Sequence, residues 1–144
     1  MRASALLPAL LVTTFAAGAA AGRLTATAAA PAPAARVYEL RTYVAPPGRL
    51  PALERRFREH TTTLFARHGM TNVGYWVPQD SARAGTTLVY LLAYPSREAA
   101  ARSWAAFGRD PEWQRVRAAF EADGPVVARV ESVFLTPTDY SPLR

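Results

Sequence analysis

The order of hydrophobic patterns along the chain constrains its fold more than any other feature. Between residues 36 and 136, segments with a period of two alternate with segments of helical period, in the order strand, helix, strand, strand, helix, strand. This order is typical of ferredoxin-like domains. We therefore predict an α+β fold in which a four-stranded antiparallel sheet carries its helices on one face.

The first strand is predicted over residues 36–44, and Pro46-Pro47-Gly48 ends it. One face, which we expect in the core, carries Tyr38, Leu40, Thr42 and Val44. The other face, expected to line a cavity, carries Val37, Glu39, Arg41 and Tyr43.

Two helical regions and three more strands complete the pattern. Apolar residues at helical spacing predict one helix over residues 50–68. Ser96 and Asp110 are predicted N-caps of the second helical region, which restarts at Pro111. The remaining strands are predicted over residues 71–77, 86–94 and 126–136. The expected core comprises Leu40, Leu53, Phe57, Leu64, Trp104, Phe107, Trp113, Val116, Phe120 and Val130.

The sheet face opposite the helices receives no cover from its own chain in this fold. Monomers rarely leave a large apolar patch in water, so we expect two sheets to pack together as a homodimeric α/β barrel. The residues assigned to that face are Val37, Tyr43, Trp76, Val127, Val133 and Leu135.

The first thirty residues differ in composition from the rest of the chain. Arg2 is a short basic start, residues 3–21 are apolar, and small residues follow in A-x-A patterns. We predict a signal peptide within residues 1–30 and a folded domain over 36–143. The protein is then expected to be secreted or periplasmic, without stable membrane insertion after cleavage. An uncleaved helical anchor is the alternative.

Composition excludes several classes of function. The chain has no cysteine and no lysine, and its 17 basic residues are all arginines interleaved with glutamates, giving a net charge of +6 without a basic run. We therefore expect no nucleic-acid partner. His60 and His68 would lie roughly 12 Å apart along one helix, too far to share a metal. No metal, cofactor or nucleophile motif is present, so we predict none of these groups.

Charged and aromatic residues on the strands form the candidate ligand site. An arginine binds a carboxylate or phenolate through paired hydrogen bonds, and a neighbouring carboxylate can act as a base when it is partly desolvated. Cross-strand ion pairs that stabilise the sheet are the alternative reading. The candidate residues are Glu39, Arg41, Tyr43, Trp76, Tyr90, Arg129 and Glu131. No catalytic residue is identified.

Several short motifs resemble the NIPSNAP family of dimeric α/β-barrel proteins. They are the opening Tyr38-Glu39-Leu40-Arg41-Thr42-Tyr43, the strand Val73-Gly74-Tyr75-Trp76, the restart Asp110-Pro111-Glu112-Trp113 and the close Tyr140-Ser141-Pro142-Leu143. The resemblance implies a dimeric barrel but no agreed catalytic residues. We expect a homodimer that binds a small hydrophobic or aromatic ligand, or a partner, through its barrel. A cofactor-independent enzyme of the antibiotic-biosynthesis-monooxygenase type is the alternative.

Overall fold

The computed structural model describes residues 36–80 and 82–143, and its elements follow the predicted order. The predicted signal peptide lies outside the described residues. The elements are β1 (Val37–Val44), α1 (Leu50–Arg56), a π-helical segment (Phe57–Thr61), α2 (Thr62–Arg67), β2 (Thr71–Trp76), β3 (Thr87–Tyr94), α3 (Arg97–Arg109), α4 (Pro111–Phe120) and β4 (Arg129–Leu135).

The four strands form one antiparallel sheet in the order β2-β3-β1-β4. β1 is central, and Leu40 lies opposite Leu91 of β3 and Val133 of β4. The helices pack on one face of the sheet. The predicted α+β, ferredoxin-like fold is therefore confirmed.

The two faces of β1 are reversed relative to the prediction. Glu39 hydrogen-bonds to Trp104 of α3, so the charged row of β1 lies beneath the helices. Leu40 and Thr42, the expected core residues, belong to the open face. The prediction was wrong because it placed the less charged row in the core, whereas distant side chains satisfy Glu39 beneath the helices.

The open face carries several exposed apolar side chains. Trp76, Val133 and Leu135 are 52%, 51% and 41% exposed, which agrees with their predicted position. Val37 and Tyr43 were assigned to this face but lie on the helix side. Val127 also departs from the prediction, since it lines a cleft together with Tyr43.

The first helical region contains a π-helical segment that periodicity did not reveal. The segment joins α1 to α2 directly, and the Thr62 amide donates to the Phe57 carbonyl, five residues back. The Thr61 hydroxyl donates to the Arg56 carbonyl at 3.2 Å. π-helical turns are rare and occur frequently at functional sites.

The second helical region begins and restarts where the sequence predicts. The Ser96 hydroxyl accepts a hydrogen bond from the Ala99 amide at 3.1 Å. Asp110 caps α4 by accepting from the Glu112 amide at 2.7 Å. Both N-cap predictions are confirmed.

The core lies between the sheet and the helices. Among the predicted core residues, Leu53, Phe57, Leu64, Phe107 and Val116 are buried, and the others except Val130 are partly buried. Val130 is 45% exposed because β4 is an edge strand. Within the described ranges, no helix is long and apolar enough to cross a membrane.

Candidate functional site

The interior beneath the helices is organised by the carboxylate of Glu39. One oxygen accepts hydrogen bonds from Arg41 Nη1 at 2.5 Å and Ser132 Oγ at 2.6 Å. The other accepts from Trp104 Nε1 at 2.7 Å and Tyr94 Oη at 2.8 Å. A carboxylate offers about four lone-pair positions, and these four donors fill them.

This bonding decides the chemical role of Glu39. Burial alone would raise its pKa, but the hydrogen bonds from Ser132, Trp104, Arg41 and Tyr94 outweigh burial and leave the pKa below its ordinary value. A general base must be free to accept a proton from a substrate. Glu39 is instead a fixed anion that positions its neighbours.

Arg41 is the cation held by Glu39. Its guanidinium carbon lies 4.2 Å from the Trp104 ring centroid and 5.5 Å from that of Tyr43. Burial would lower the pKa of Arg41, but the Tyr43 and Tyr90 hydroxyls and Glu39 raise it overall. Arg41 is therefore a permanently charged, aromatic-flanked group, and its Nε is buried without a hydrogen-bond partner among the described residues.

Tyr90 lies at the centre of the interior aromatic cluster. Its ring stacks on Tyr75 at 5.6 Å and meets the edge of Tyr43 at 5.1 Å. Its side chain is fully buried, and its hydroxyl lies near Tyr43 and Arg41 without a hydrogen bond of good geometry to a described residue. Burial raises its pKa well above the ordinary value, so the hydroxyl remains a neutral donor.

A cleft of about 280 Å³ opens into this interior beside Tyr43. It is bounded by the end of α1, by α4 and by β4, and we call it the α1–α4 cleft. Its lining residues are Tyr43, Arg56, Trp113, Arg117, Glu121, Val127 and Val130.

Arg56 is the buried cation of the α1–α4 cleft. Its side chain is 3% exposed, and its guanidinium carbon lies 5.0 Å from the Trp113 ring centroid. Its Nη1 donates to Glu121 Oε1 at 3.3 Å, while no described residue accepts a hydrogen bond from its Nε. Burial lowers the pKa of Arg56 more than Glu121 and the nearby tyrosines raise it.

One comparison with known proteins decides the family. The NIPSNAP family model matches residues 38–142, which is most of the chain. The chain belongs to the NIPSNAP family. No curated protein matches it.

Solved structures of NIPSNAP proteins share this fold. A family member of unknown function from Agrobacterium tumefaciens is 23% identical, with a TM-score of 0.66, and the match covers 77% of this chain and 96% of that one. An uncharacterised NIPSNAP-like domain protein from Burkholderia xenovorans is 22% identical, with a TM-score of 0.66, over 76% and 90% of the two chains.

A more distant structural neighbour of this NIPSNAP protein is an enzyme. It is a monooxygenase from Streptomyces coelicolor, solved with the ligand nanaomycin D, which is 18% identical with a TM-score of 0.52. The match covers 76% of this chain and 94% of the monooxygenase. At this level of identity the likeness shows a shared fold.

The seven residues predicted to form one ligand site fall on both faces of the NIPSNAP sheet. Glu39, Arg41, Tyr43 and Tyr90 lie together beneath the helices, whereas the open face carries Trp76, Arg129 and Glu131. The Arg129–Glu131 pair is 3.1 Å apart, and its side chains are 66% and 58% exposed. The expectation that all seven border one cavity was wrong, because the β1–β4 register places Glu131 opposite Thr42 and Arg129 opposite Val44, on the face away from Glu39 and Arg41.

Sequence reasoning missed Arg56 and Glu121, and it favoured a core position for Trp113 over a place at the mouth of a cavity. A signal was available for Arg56, which lies three residues after Leu53 and one before Phe57, within the apolar stripe of the helix. A cation at a core position is unusual unless it has a partner. Glu121 offered no such signal, because it follows α4 at a position where polar residues are ordinary.

The two histidines have separate surroundings. His68 Nε2 lies 2.7 Å from Asp110 Oδ2, which joins the end of α2 to the start of α4. His60 packs its ring against Phe120 at 5.8 Å. In the part of the chain that the structure describes, no group of three acidic or histidine side chains is placed to hold a metal ion.

Proposed function

We propose that this NIPSNAP protein binds a small aromatic molecule in the α1–α4 cleft. The observation that carries the proposal is Arg56, a nearly buried cation with an unpartnered Nε beside the ring of Trp113. Buried polar groups normally have partners, so this one is available for a ligand. Tyr43, Val127 and Val130 supply the aromatic and apolar walls that small-molecule sites use.

Binding fits the chemistry of this interior better than proton transfer through Glu39 does. The Glu39 carboxylate is saturated by four donors and holds Arg41 against Trp104. A preorganised wall of this kind reduces the entropy lost when a ligand binds. The described interior therefore supplies rigid recognition groups.

A cofactor-independent oxygenase is the second candidate function. Tyr90 favours it, because its buried hydroxyl has no described partner and remains a neutral donor beside Arg41. Such a donor can orient an electron-rich substrate. A structural neighbour from Streptomyces nogalater is a cofactor-independent oxygenase, 16% identical with a TM-score of 0.50, over 76% of this chain and 99% of that one. Consumption of dissolved oxygen with a retained ligand would support this candidate.

The functional unit in this proposal is a homodimer. The open sheet face exposes Trp76, Val133 and Leu135 in one chain, and burying such apolar surface is favourable by roughly 25 cal/mol for each Å². A second copy offers the same surface, as two-fold symmetry requires. Dimerisation through the open face would leave the α1–α4 cleft accessible, because the cleft lies on the helix side.

Export of the mature domain is also part of the proposal. Its support is the sequence pattern of residues 1–30, with a basic start, an apolar run and small residues at its end. Intact-mass analysis of the exported protein is expected to show loss of about 20 to 30 residues. A full-length mass in the membrane fraction would contradict cleavage.

Native mass spectrometry of protein purified from its natural source tests the ligand proposal. A non-covalent adduct is expected, and Trp113→Ala should reduce its occupancy because one cleft wall is lost. Phe134→Leu, a conservative change elsewhere in the domain, serves as the control for general effects. Protein without an adduct that also fails to bind a panel of aromatic compounds would overturn the proposed function.

A further inference from the structure

Glu121 is a weak and shared counter-ion for Arg56. The distance from Arg56 Nη1 to Glu121 Oε1 is 3.3 Å, longer than the usual 2.7–2.9 Å of charge-assisted bonds. The other oxygen of Glu121 accepts from Arg117 Nε at 3.0 Å. Glu121 is also 24% exposed, so it can turn toward water without leaving a buried charge.

The two interior arginines, Arg41 and Arg56, therefore differ in how completely a carboxylate neutralises their positive charge. Arg41 contacts Glu39 at 2.5 Å, and Glu39 is fixed by three further donors. Arg56 has one long contact to a carboxylate that Arg117 also engages. The α1–α4 cleft thus contains two arginines and one glutamate, an excess of one positive charge.

Charge and shape together define the class of ligand. One negative group would neutralise the cleft, and a carboxylate can accept two hydrogen bonds from one guanidinium. The rings of Trp113 and Tyr43 favour a flat, apolar body against them. A cleft of about 280 Å³ is just below the usual range for drug-sized ligands, which suits a body of one or two rings.

We propose that the α1–α4 cleft selects aromatic monocarboxylates, and that the ligand carboxylate replaces Glu121 as the partner of Arg56. The proposal rests on the proposed ligand-binding function. Arg56 binds the carboxylate through its Nε and the adjacent Nη2, Glu121 remains with Arg117 at the rim, and the ring lies against Trp113. Glu121 thereby acts as an internal competitor that closes the site electrostatically when no ligand is bound.

The matched probes are 2-naphthoate and 2-naphthalenemethanol, which share a ring system and differ in charge. Titration of the full chain by calorimetry, with tryptophan fluorescence in parallel, should show that naphthoate binds about ten- to a hundredfold more tightly. Arg56→Met should abolish that difference and still fold, because Glu121, the carboxylate left behind, is 24% exposed and keeps Arg117 as its partner.

Glu121→Gln gives the sharper test, because the proposal predicts that this variant gains affinity for naphthoate. Removing the competitor should strengthen naphthoate binding severalfold and leave the alcohol unchanged. Arg115→Gln is the control for Arg56→Met, since Arg115 is exposed on α4 and its loss changes net charge equally. It should leave both affinities unchanged.

The outcomes separate this inference from the proposed function. Equal binding of the two probes to the wild-type protein, or weaker naphthoate binding by Glu121→Gln, would overturn carboxylate selection while the cleft remained a ligand site. Failure of both probes to bind would overturn carboxylate selection as well. Failure of the wider aromatic panel together with a missing native adduct would overturn the proposed function itself.

Discussion

At the scale of single residues, Glu39 joins four elements through one side chain. It belongs to β1 and accepts hydrogen bonds from Tyr94 at the end of β3, Trp104 of α3 and Ser132 of β4, in addition to its neighbour Arg41. Isolated buried charges are costly, whereas a paired and fully hydrogen-bonded carboxylate is tolerated. Glu39 is therefore expected to fix the geometry of the interior.

Glu39→Gln should destabilise the protein at neutral pH by about 3–5 kcal/mol, the usual cost of removing one partner of a buried ion pair. Its bonds hold the pKa of Glu39 below the ordinary value of 4.5. The stabilisation is thus complete above that pH and is lost as pH falls through the lower folded-state pKa. The gap in free energy of unfolding between wild type and variant should consequently narrow below pH 4.5.

Urea unfolding at several pH values provides this measurement. Asp80→Asn is the matched control, because Asp80 is paired with Arg83 in an exposed turn and should contribute little. A Glu39→Gln variant as stable as wild type at neutral pH would contradict the structural role assigned to Glu39.

At the scale of elements, the π-helical segment lies directly after Arg56. An α-helix turns about 100° per residue, whereas a π-helix turns through a smaller angle per residue. The π turn therefore holds one extra residue while the faces of α1 and α2 on either side of it stay nearly aligned. The Thr61 hydroxyl fixes the Arg56 carbonyl at the start of the segment. We infer that the segment sets the position of Arg56 in the cleft more than it sets the fold.

Deletion of Glu59, an exposed residue of the π-helical segment, tests this inference. The segment should become regular α-helix, so circular dichroism should show retained helix content. Naphthoate binding should weaken about tenfold or more, because the deletion moves Arg56 by about one residue rise, 1.5 Å. Glu59→Ala should bind normally, and a deletion variant with unchanged affinity would show that the π turn has no role in the site.

The junction between α3 and α4 depends on Asp110. This side chain caps α4 through the Glu112 and Trp113 amides and contacts His68 of the loop after α2. The hydrogen bond from His68 and those from the two amides lower the pKa of Asp110 despite desolvation. Trp113 lies in the first turn of the capped helix, so the cap also supports the cleft wall.

Asp110→Ala should lower the melting temperature by several degrees because the α4 cap and the His68 contact are both lost. Asp110→Asn should have a smaller effect, since asparagine also caps helices. The folded state keeps Asp110 charged to lower pH than the unfolded chain, so its contribution should fade as pH falls below 3.8. Equal melting temperatures for Asp110→Ala and wild type would show that the Asp110 cap does not stabilise the fold.

At the scale of the whole molecule, the order of the elements could be predicted from the sequence, but which face of the sheet lies beneath the helices could not. Periodicity is local, so strand and helix order followed from residues such as Leu53 and Phe57. Whether Glu39 faces the interior depends on Trp104 and Ser132, which lie 65 and 93 residues away. The α1–α4 cleft escaped prediction for the same reason, since its walls meet only in the folded chain.

The homodimer can be tested by placing charge on the open face. Wild-type protein should show about twice the monomer mass by light scattering at micromolar concentration. Val133→Arg should give a monomer, because each copy would bury an unpaired guanidinium in the apolar interface. Ala101→Arg, an exposed change on α3, should leave the dimer intact. A wild-type monomer would contradict barrel formation through this face.

The four hydrogen bonds to Glu39 also constrain which substitutions this chain can accept during evolution. Loss of Trp104, Tyr94 or Ser132 leaves a carboxylate lone pair without its donor, and loss of Glu39 leaves all of these donors without their acceptor. The positions should therefore be inherited as a set: a protein that changes one should have changed others. Correspondingly, Glu39→Gln combined with Trp104→Phe should cost less than the sum of the two single changes.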